Sequence, residues 1–248
     1  EWVSVSYNDA VMQGGGGADT IHARLAAFGE GGQVYENKLT QEGGAGVDDL
    51  SAVFEAKGGY FQTNHYWDSN ASSTVTEIYF NDQGSVSYNK VDLDGGLGAD
   101  TLSLDMRATY EVYQNTVVME GGDDGAVDTL TLKMSATTGA FAADPNYDGH
   151  NDYAYVSYNT AFMSGGGGGD TLAADLDAFG EGYVDRNNLF LDGEAGADTI
   201  NASLRAVGTS TQTNTSAGVV TATYTSDEGY VTQNTVIADG GAGADTLS

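Results

Sequence analysis

Seven aspartates stand behind glycine-rich turns in this chain, and their surroundings repeat closely enough to define one kind of site. The stretch Gly95-Gly96-Leu97-Gly98-Ala99-Asp100-Thr101-Leu102 reads G-G-x-G-x-D-T-L, and the turn recurs at 14–21, 43–50, 165–172, 193–200 and 240–247. A further copy, 121–130, carries two extra residues. Glu194 replaces the second glycine of one turn, and Asp49 the threonine of another. The aspartates are Asp19, Asp48, Asp100, Asp128, Asp170, Asp198 and Asp245. The turns open on Gly14, Gly43, Gly95, Gly121, Gly165, Gly193 and Gly240. Glycine lets backbone carbonyls face inward without a Cβ clash, and the aspartate adds a carboxylate. A hard cation such as Ca2+ takes about six to eight such oxygens. One turn supplies too few, so stacked turns would have to share ions.

The elements that position these turns follow from alignment on them. An asparagine precedes each first glycine by six residues: Asn8, Asn37, Asn89, Asn115, Asn159, Asn187 and Asn234. A valine precedes each asparagine by three: Val5, Val34, Val86, Val112, Val156, Val184 and Val231. After the turns, apolar residues alternate, as in Leu102/Leu104/Met106 and Leu130/Leu132/Met134; before them come Val91/Leu93 and Val117/Met119. A period of two means strands with one buried face. The odd valine-to-asparagine step puts these two out of phase, which predicts a bend and an internal asparagine ladder.

The motif aspartates lie 29, 52, 28, 42, 28 and 47 residues apart. An interval near 28 suits one coil of a parallel β-solenoid; the longer ones require inserts, expected as hairpins or loops at about 58–84, 137–153 and 208–229. Residues 7–31 and 158–182 share 17 of 25 identities, so four coils form a larger repeat. The fold expected is all-β: one solenoid over 1–248, β-helix- or β-roll-like, with the Gly/Asp turns along one edge, read as a segment of a longer chain.

Composition narrows the function. A net charge of −28 argues against nucleic-acid and anionic-membrane partners. Sixteen of the 36 acids lie in or beside the turns, so the charge is focused there. Absence of cysteine excludes disulfides and thiolate metal sites. No apolar run approaches the ~20 residues of a membrane span. Seven stacked carboxylates ~4.8 Å apart would repel by ~1 kcal/mol per neighbouring pair in water and ~3–4 at an effective dielectric of 20. Without cations such a stack should be loose or unfolded.

The recurring turns resemble those of the RTX (hemolysin-type calcium-binding) family. The resemblance covers the seven turns and their flanking strands. It implies a parallel β-roll or β-helix, an extracellular location and folding upon several Ca2+ ions. The implied ligands are the seven motif aspartates and carbonyls near the seven opening glycines. The family usually runs its nonapeptides in tandem; here one turn falls in each coil, which favours a wider β-helix with a single calcium-lined edge. Ice binding, known for some of these adhesins, would need hydroxyls at Gly16, Ala45, Leu97, Gly167, Ala195 and Ala242, and none is present.

Other constellations carry less. Asp144, Asn146, Asp148 and Asp152 read D-x-N-x-D-G-x-x-D, like the start of an EF-hand loop, but position twelve is Tyr155; either a loop-type Ca2+ site or a polar turn is consistent. His22, His65 and His150 show no metal or catalytic spacing, and no carboxylate cluster outside the turns suggests an enzyme. The sequence therefore reads as a structural or adhesive protein of a cell surface, part of a fibre, S-layer or matrix, self-associating or stacking head to tail, with surface glycans as a further possible partner. The alternative reading is a calcium-dependent folding and secretion module of a larger secreted enzyme or toxin.

Overall fold

The computed structural model describes residues 2–58, 60–68, 73–81, 84–137, 153–207, 210–216, 219–226 and 229–248. Every regular element in them is a strand. The chain winds through seven coils, each passing three faces in turn, so that like positions stack into parallel sheets of seven strands per face. The first face carries Trp2–Ser6, the end of Thr20–Tyr35, Ser85–Ser87, Glu111–Tyr113, Tyr153–Ser157, Glu181–Asp185 and Tyr230–Thr232. The second carries Asp9–Gly16, Lys38–Ala45, Lys90–Leu97, Thr116–Glu120, Thr160–Ser164, Asn188–Asp192 and Thr235–Asp239. The third holds the beginning of Thr20–Tyr35, then Asp49–Gly58, Thr101–Ala108, Thr129–Thr137, Thr171–Phe179, Thr199–Val207 and Thr246–Leu247. The expected parallel β-solenoid is the observed fold.

Register explains the core. On the third face Leu50, Leu102, Leu130, Leu172 and Ile200 lie over one another, as do Phe54, Met106, Met134 and Leu176. Ala56, Ala108, Ala136 and Ala178 form a column of methyl groups where the faces converge and a larger side chain has less room. The seven valines stack on the first face, and Val34, Val86, Val112, Val156 and Val184 are fully buried. A slip of one residue would turn each apolar set outward, so burial fixes the pairing. One polar intruder interrupts the second face: Gln41 occupies the column of Met12, Leu93 and Met119 and donates to the Ser51 carbonyl at 3.2 Å.

The bend expected between valine and asparagine is a left-handed residue. Tyr7, Glu36, Tyr88, Gln114, Tyr158, Arg186 and Gln233, each just before its asparagine, have φ between 50° and 58°. That residue reverses the pleat, which is why valine and asparagine both point inward despite an odd spacing. The asparagines form the expected ladder. Asn89 Nδ2 donates to the Val34 carbonyl (2.9 Å) and to Asn115 Oδ1 (3.0 Å), while Asn89 Oδ1 accepts from the backbone N–H and Nδ2 of Asn37 (both 3.0 Å). The pattern repeats through Asn115, Asn159 and Asn187. Outside the same corner Tyr7, Tyr35, Tyr88, Tyr113 and Tyr158 form an edge-to-face row with centroids 5.4–5.8 Å apart, continued by Arg186, 5.2 Å over Tyr158.

The inserts leave from one corner, between the third and first faces, and only after the second, fourth and sixth coils. The first contains the antiparallel hairpin Tyr60–Asp68 with Ser73–Asn81, and the third Ser210–Ser216 with Val219–Ser226. Thr109 Oγ1 accepts the N–H groups of Gly58 (2.9 Å) and Gly84 (3.1 Å), fastening the base of the first. The middle insert, and with it Asp144, Asn146, Asp148 and Asp152, lies outside the described residues.

On the outer third face the buried Glu55 gathers Arg24 (2.7 Å), Lys57 (2.9 Å) and Arg107 (3.1 Å). Burial alone would raise its pKa; hydrogen bonds from Arg107, Arg24 and Lys57 outweigh that and hold it at about 2, against an ordinary 4.5. A depressed carboxyl stabilises the fold fully above pH 4.5 and loses that contribution as pH falls through about 2. Glu55→Gln should therefore lower stability at pH 7 by roughly 1–3 kcal/mol, and the gap from the native chain, read from urea midpoints, should narrow as the buffer is taken from pH 5 towards pH 2. Asn115→Ala, which strands a buried Val86 carbonyl, should cost a similar ~1–3 kcal/mol, whereas Asn8→Ala at the exposed first coil should cost less.

Candidate metal centre

The third face begins immediately after each Gly/Asp turn, so the register that stacks leucine on leucine also stacks the seven aspartates. Asp48, Asp100, Asp128, Asp170 and Asp198 are buried, and Asp19 and Asp245 at the ends are half-buried. One oxygen of each, Asp19 in the first coil excepted, has a defined task. Oδ1 accepts the backbone N–H of the aspartate in the preceding coil: Asp19 to Asp48, Asp48 to Asp100, Asp100 to Asp128, Asp128 to Asp170 and Asp170 to Asp198 at 2.7 Å, Asp198 to Asp245 at 3.0 Å. The rungs are thus tied by hydrogen bonds through the carboxylates.

The other oxygen has no partner. Oδ2 of Asp19, Asp48, Asp100, Asp128, Asp170 and Asp198 is buried and unpaired. Each lies against the opening glycine of its own turn, 2.6–2.7 Å from where a β-carbon would stand at Gly14, Gly43, Gly95, Gly121, Gly165 and Gly193. The next coil's glycine carbonyl converges there as well: Gly43 O at Gly14, Gly95 O at Gly43, Gly121 O at Gly95 and Gly165 O at Gly121, at 2.5–2.7 Å. The opening glycine is therefore required by space. The glycines at the second and fourth positions are required by conformation, as at Gly96 (φ 93°) and Gly98 (φ 126°). Glu194 stands in for a second glycine in the left-handed region, at φ 65°.

The electrostatics of the column agree with its geometry. Burial, reinforced by neighbouring carboxylates, pushes Asp100 and Asp170 above the ordinary carboxylate range and Asp128 to about 6, against the lowering effect of the N–H each accepts. The donor set, unpaired carboxylate oxygens beside glycine carbonyls, is all oxygen, which fits a hard divalent cation. Among the described residues no three His, Cys, Asp or Glu converge on a point, so carbonyls would have to supply much of any coordination shell.

The longer fourth turn preserves the stacking by mimicry. In regular turns the glycine at the fourth position donates to a backbone carbonyl of the next coil, as Gly46 does to Leu97 at 2.7 Å. Gly98 instead donates to Asp124 Oδ2 at 2.5 Å, and Asp124 Oδ1 accepts from Ala126 N–H at 2.9 Å. An inserted side chain thus replaces a main-chain acceptor and adds an anion beside the column. Sequence reasoning counted Asp124 only as one of the acids at the turns; its role depends on where the insertion bulges. The same holds for Asp94 and Glu120, raised by burial and by neighbouring acids on the outer second face.

Fold and site together define a three-faced parallel β-solenoid with one column of buried, half-satisfied carboxylates. No family model, characterised protein or solved structure matches the chain.

The crowding makes a direct test possible. A β-carbon at Gly98 would stand 1.5 Å from the Gly46 carbonyl oxygen, at a positive φ, whereas Gly16 has nothing within 4 Å and an ordinary φ. Gly98→Ala should destabilise by more than about 2 kcal/mol, and Gly16→Ala should leave the urea midpoint within a few tenths of a kcal/mol of native.

Proposed function

We propose that this chain is a calcium-stabilised β-solenoid acting as a structural, extracellular building element. The observation that carries this reading is the single file of six buried aspartate oxygens with no hydrogen-bond donor. A buried unpaired carboxylate is costly, and repeating that cost along a column makes sense where something positive meets it. The motif aspartates, with carbonyls of the opening glycines, would hold the ions, as the RTX resemblance implies; bound calcium would supply the charge that offsets neighbouring carboxylates. The described chain provides the rest: Oδ1 locks each aspartate to its neighbour, and the opening glycine leaves room for Oδ2.

A structural role is favoured by the uniform register, which makes a stiff rod. Such rods would associate with further copies of the chain, as a head-to-tail filament or a matrix.

The test is chelation followed by titration. Circular dichroism with urea unfolding should show loss of β-structure, or a large fall in midpoint, in chelator, with recovery on adding Ca2+. Each ion at 100-fold its Kd would restore roughly 2.7 kcal/mol. Asp128→Asn should reduce the number of ions bound while leaving the coils away from the fourth turn responsive. An identical spectrum and midpoint with and without calcium would overturn the reading.

A further inference from the structure

Tyrosines concentrate on the first face. The five-ring row stands at its asparagine corner, and on its outer surface Tyr155, Tyr183 and Tyr230 lie in register, their rings nearly parallel and 5.2 and 5.1 Å apart. Packing alone does not require the hydroxyls these rings carry. A phenol held against a phenol has a chemistry of its own: after one-electron oxidation, two such rings join through their ortho carbons.

The corner row is chemically graded. In the second coil, the Tyr35 hydroxyl donates to the Glu36 carboxylate at 2.7 Å. That hydrogen bond is the largest of the effects that push Tyr35 up to about 12, from an ordinary 10. At neutral pH the ring is therefore a phenol with a proton acceptor already in place. A phenol that loses an electron must shed its proton too, and a positioned base eases the step. In the fifth coil the surroundings are opposite. Arg186 stands 5.2 Å over the Tyr158 ring and donates to its hydroxyl, and a cation there opposes withdrawal of an electron. Oxidation of the row thus belongs at Tyr35. Its neighbours are rings of the adjacent coils, Tyr88 at 5.5 Å and Tyr7 at 5.8 Å, nearly perpendicular to it. One ring of a pair must turn to bring the two ortho carbons together, and Tyr88, 47% exposed, has an open side for that turn.

We propose that Tyr35 is an oxidative cross-linking site, forming a dityrosine bond to a ring of the adjacent coil, Tyr88 before Tyr7, when a peroxide-driven one-electron oxidant acts on the folded chain. Each of the two phenols gives up one electron and its hydroxyl proton, that of Tyr35 passing first to Glu36. The two radicals join ortho carbon to ortho carbon. The hydrogen on each joined carbon then moves to the ring oxygen, which restores both phenols. The two electrons and two protons released convert one hydrogen peroxide into two waters. A bond from Tyr35 to Tyr88 ties the second coil to the third across the base of the first insert, in a chain with no cysteine to do so by a disulfide. The site uses no residue of the Gly/Asp turns and does not depend on the calcium reading.

The test treats the full chain, with Ca2+ present and its fold checked by circular dichroism, with a haem peroxidase and a limiting dose of hydrogen peroxide. The monomeric product is digested with trypsin and its joined peptides are sequenced by mass spectrometry. Tyr35 is the single tyrosine of residues 25–38 and Tyr7 that of 1–24, while Tyr88 falls in 58–90. The expected result is dityrosine fluorescence with 25–38 joined chiefly to 58–90, fragmentation placing the bond on Tyr88, and a lesser product joined to 1–24. Tyr35→Phe should remove both products. Glu36→Gln sets at this corner the residue type that Gln114 and Gln233 already place there in the left-handed conformation, so the fold should be unchanged while coupling through Tyr35 falls by about tenfold or more. Coupling spread evenly over the tyrosines, coupling only between separate chains, or a yield through Tyr35 that Glu36→Gln leaves unchanged would each overturn the proposal.

Discussion

Stacking identical residues in a parallel solenoid puts every side chain beside copies of itself, and the structure depends on what each kind of side chain does with that company. Asparagine and aspartate have the same shape, and both occupy inward corner columns, yet they behave oppositely. Asparagine carries donor and acceptor in one group, so Asn89 gives to Asn115 and receives from Asn37 without outside help. An ionised aspartate only accepts. Its column can satisfy Oδ1 by borrowing a backbone N–H from the preceding rung, and then no donor remains for Oδ2. One corner is self-sufficient; the other leaves one oxygen of each carboxylate without a donor.

Much of this was legible in the sequence because stacking imposes fixed offsets. The valine, asparagine, opening glycine and aspartate recur at constant separations, and those separations revealed coils, faces and the candidate site. Features without a constant offset escaped. The tyrosine row is one: Tyr7, Tyr88 and Tyr158 occupy the left-handed position, while Tyr35 and Tyr113 sit one residue earlier. Their long side chains still meet across that one-residue difference, so the row exists in space but not in the alignment. The left-handed corner itself was visible only as an odd spacing, because Tyr, Glu, Gln and Arg all fill it. The division of labour between the two aspartate oxygens was illegible for a different reason: it depends on which N–H the adjacent coil presents.

The inserts show how the same constraint governs departures from it. A solenoid can lengthen one coil only where the chain leaves the stack, and all three expected inserts depart from the corner between the third and first faces. That corner carries neither the asparagine nor the aspartate column. An insert at either of those corners would break a chain of hydrogen bonds running the length of the protein. The fourth turn tests this rule from inside the aspartate corner. Its two extra residues are accommodated because Asp124 offers Gly98 a carboxylate oxygen where the neighbouring coils offer a carbonyl. The substitution keeps the ladder intact but brings another anion to a column already short of donors. The Asp124 charge adds to those that raise Asp100, Asp128 and Asp170 above the ordinary carboxylate range.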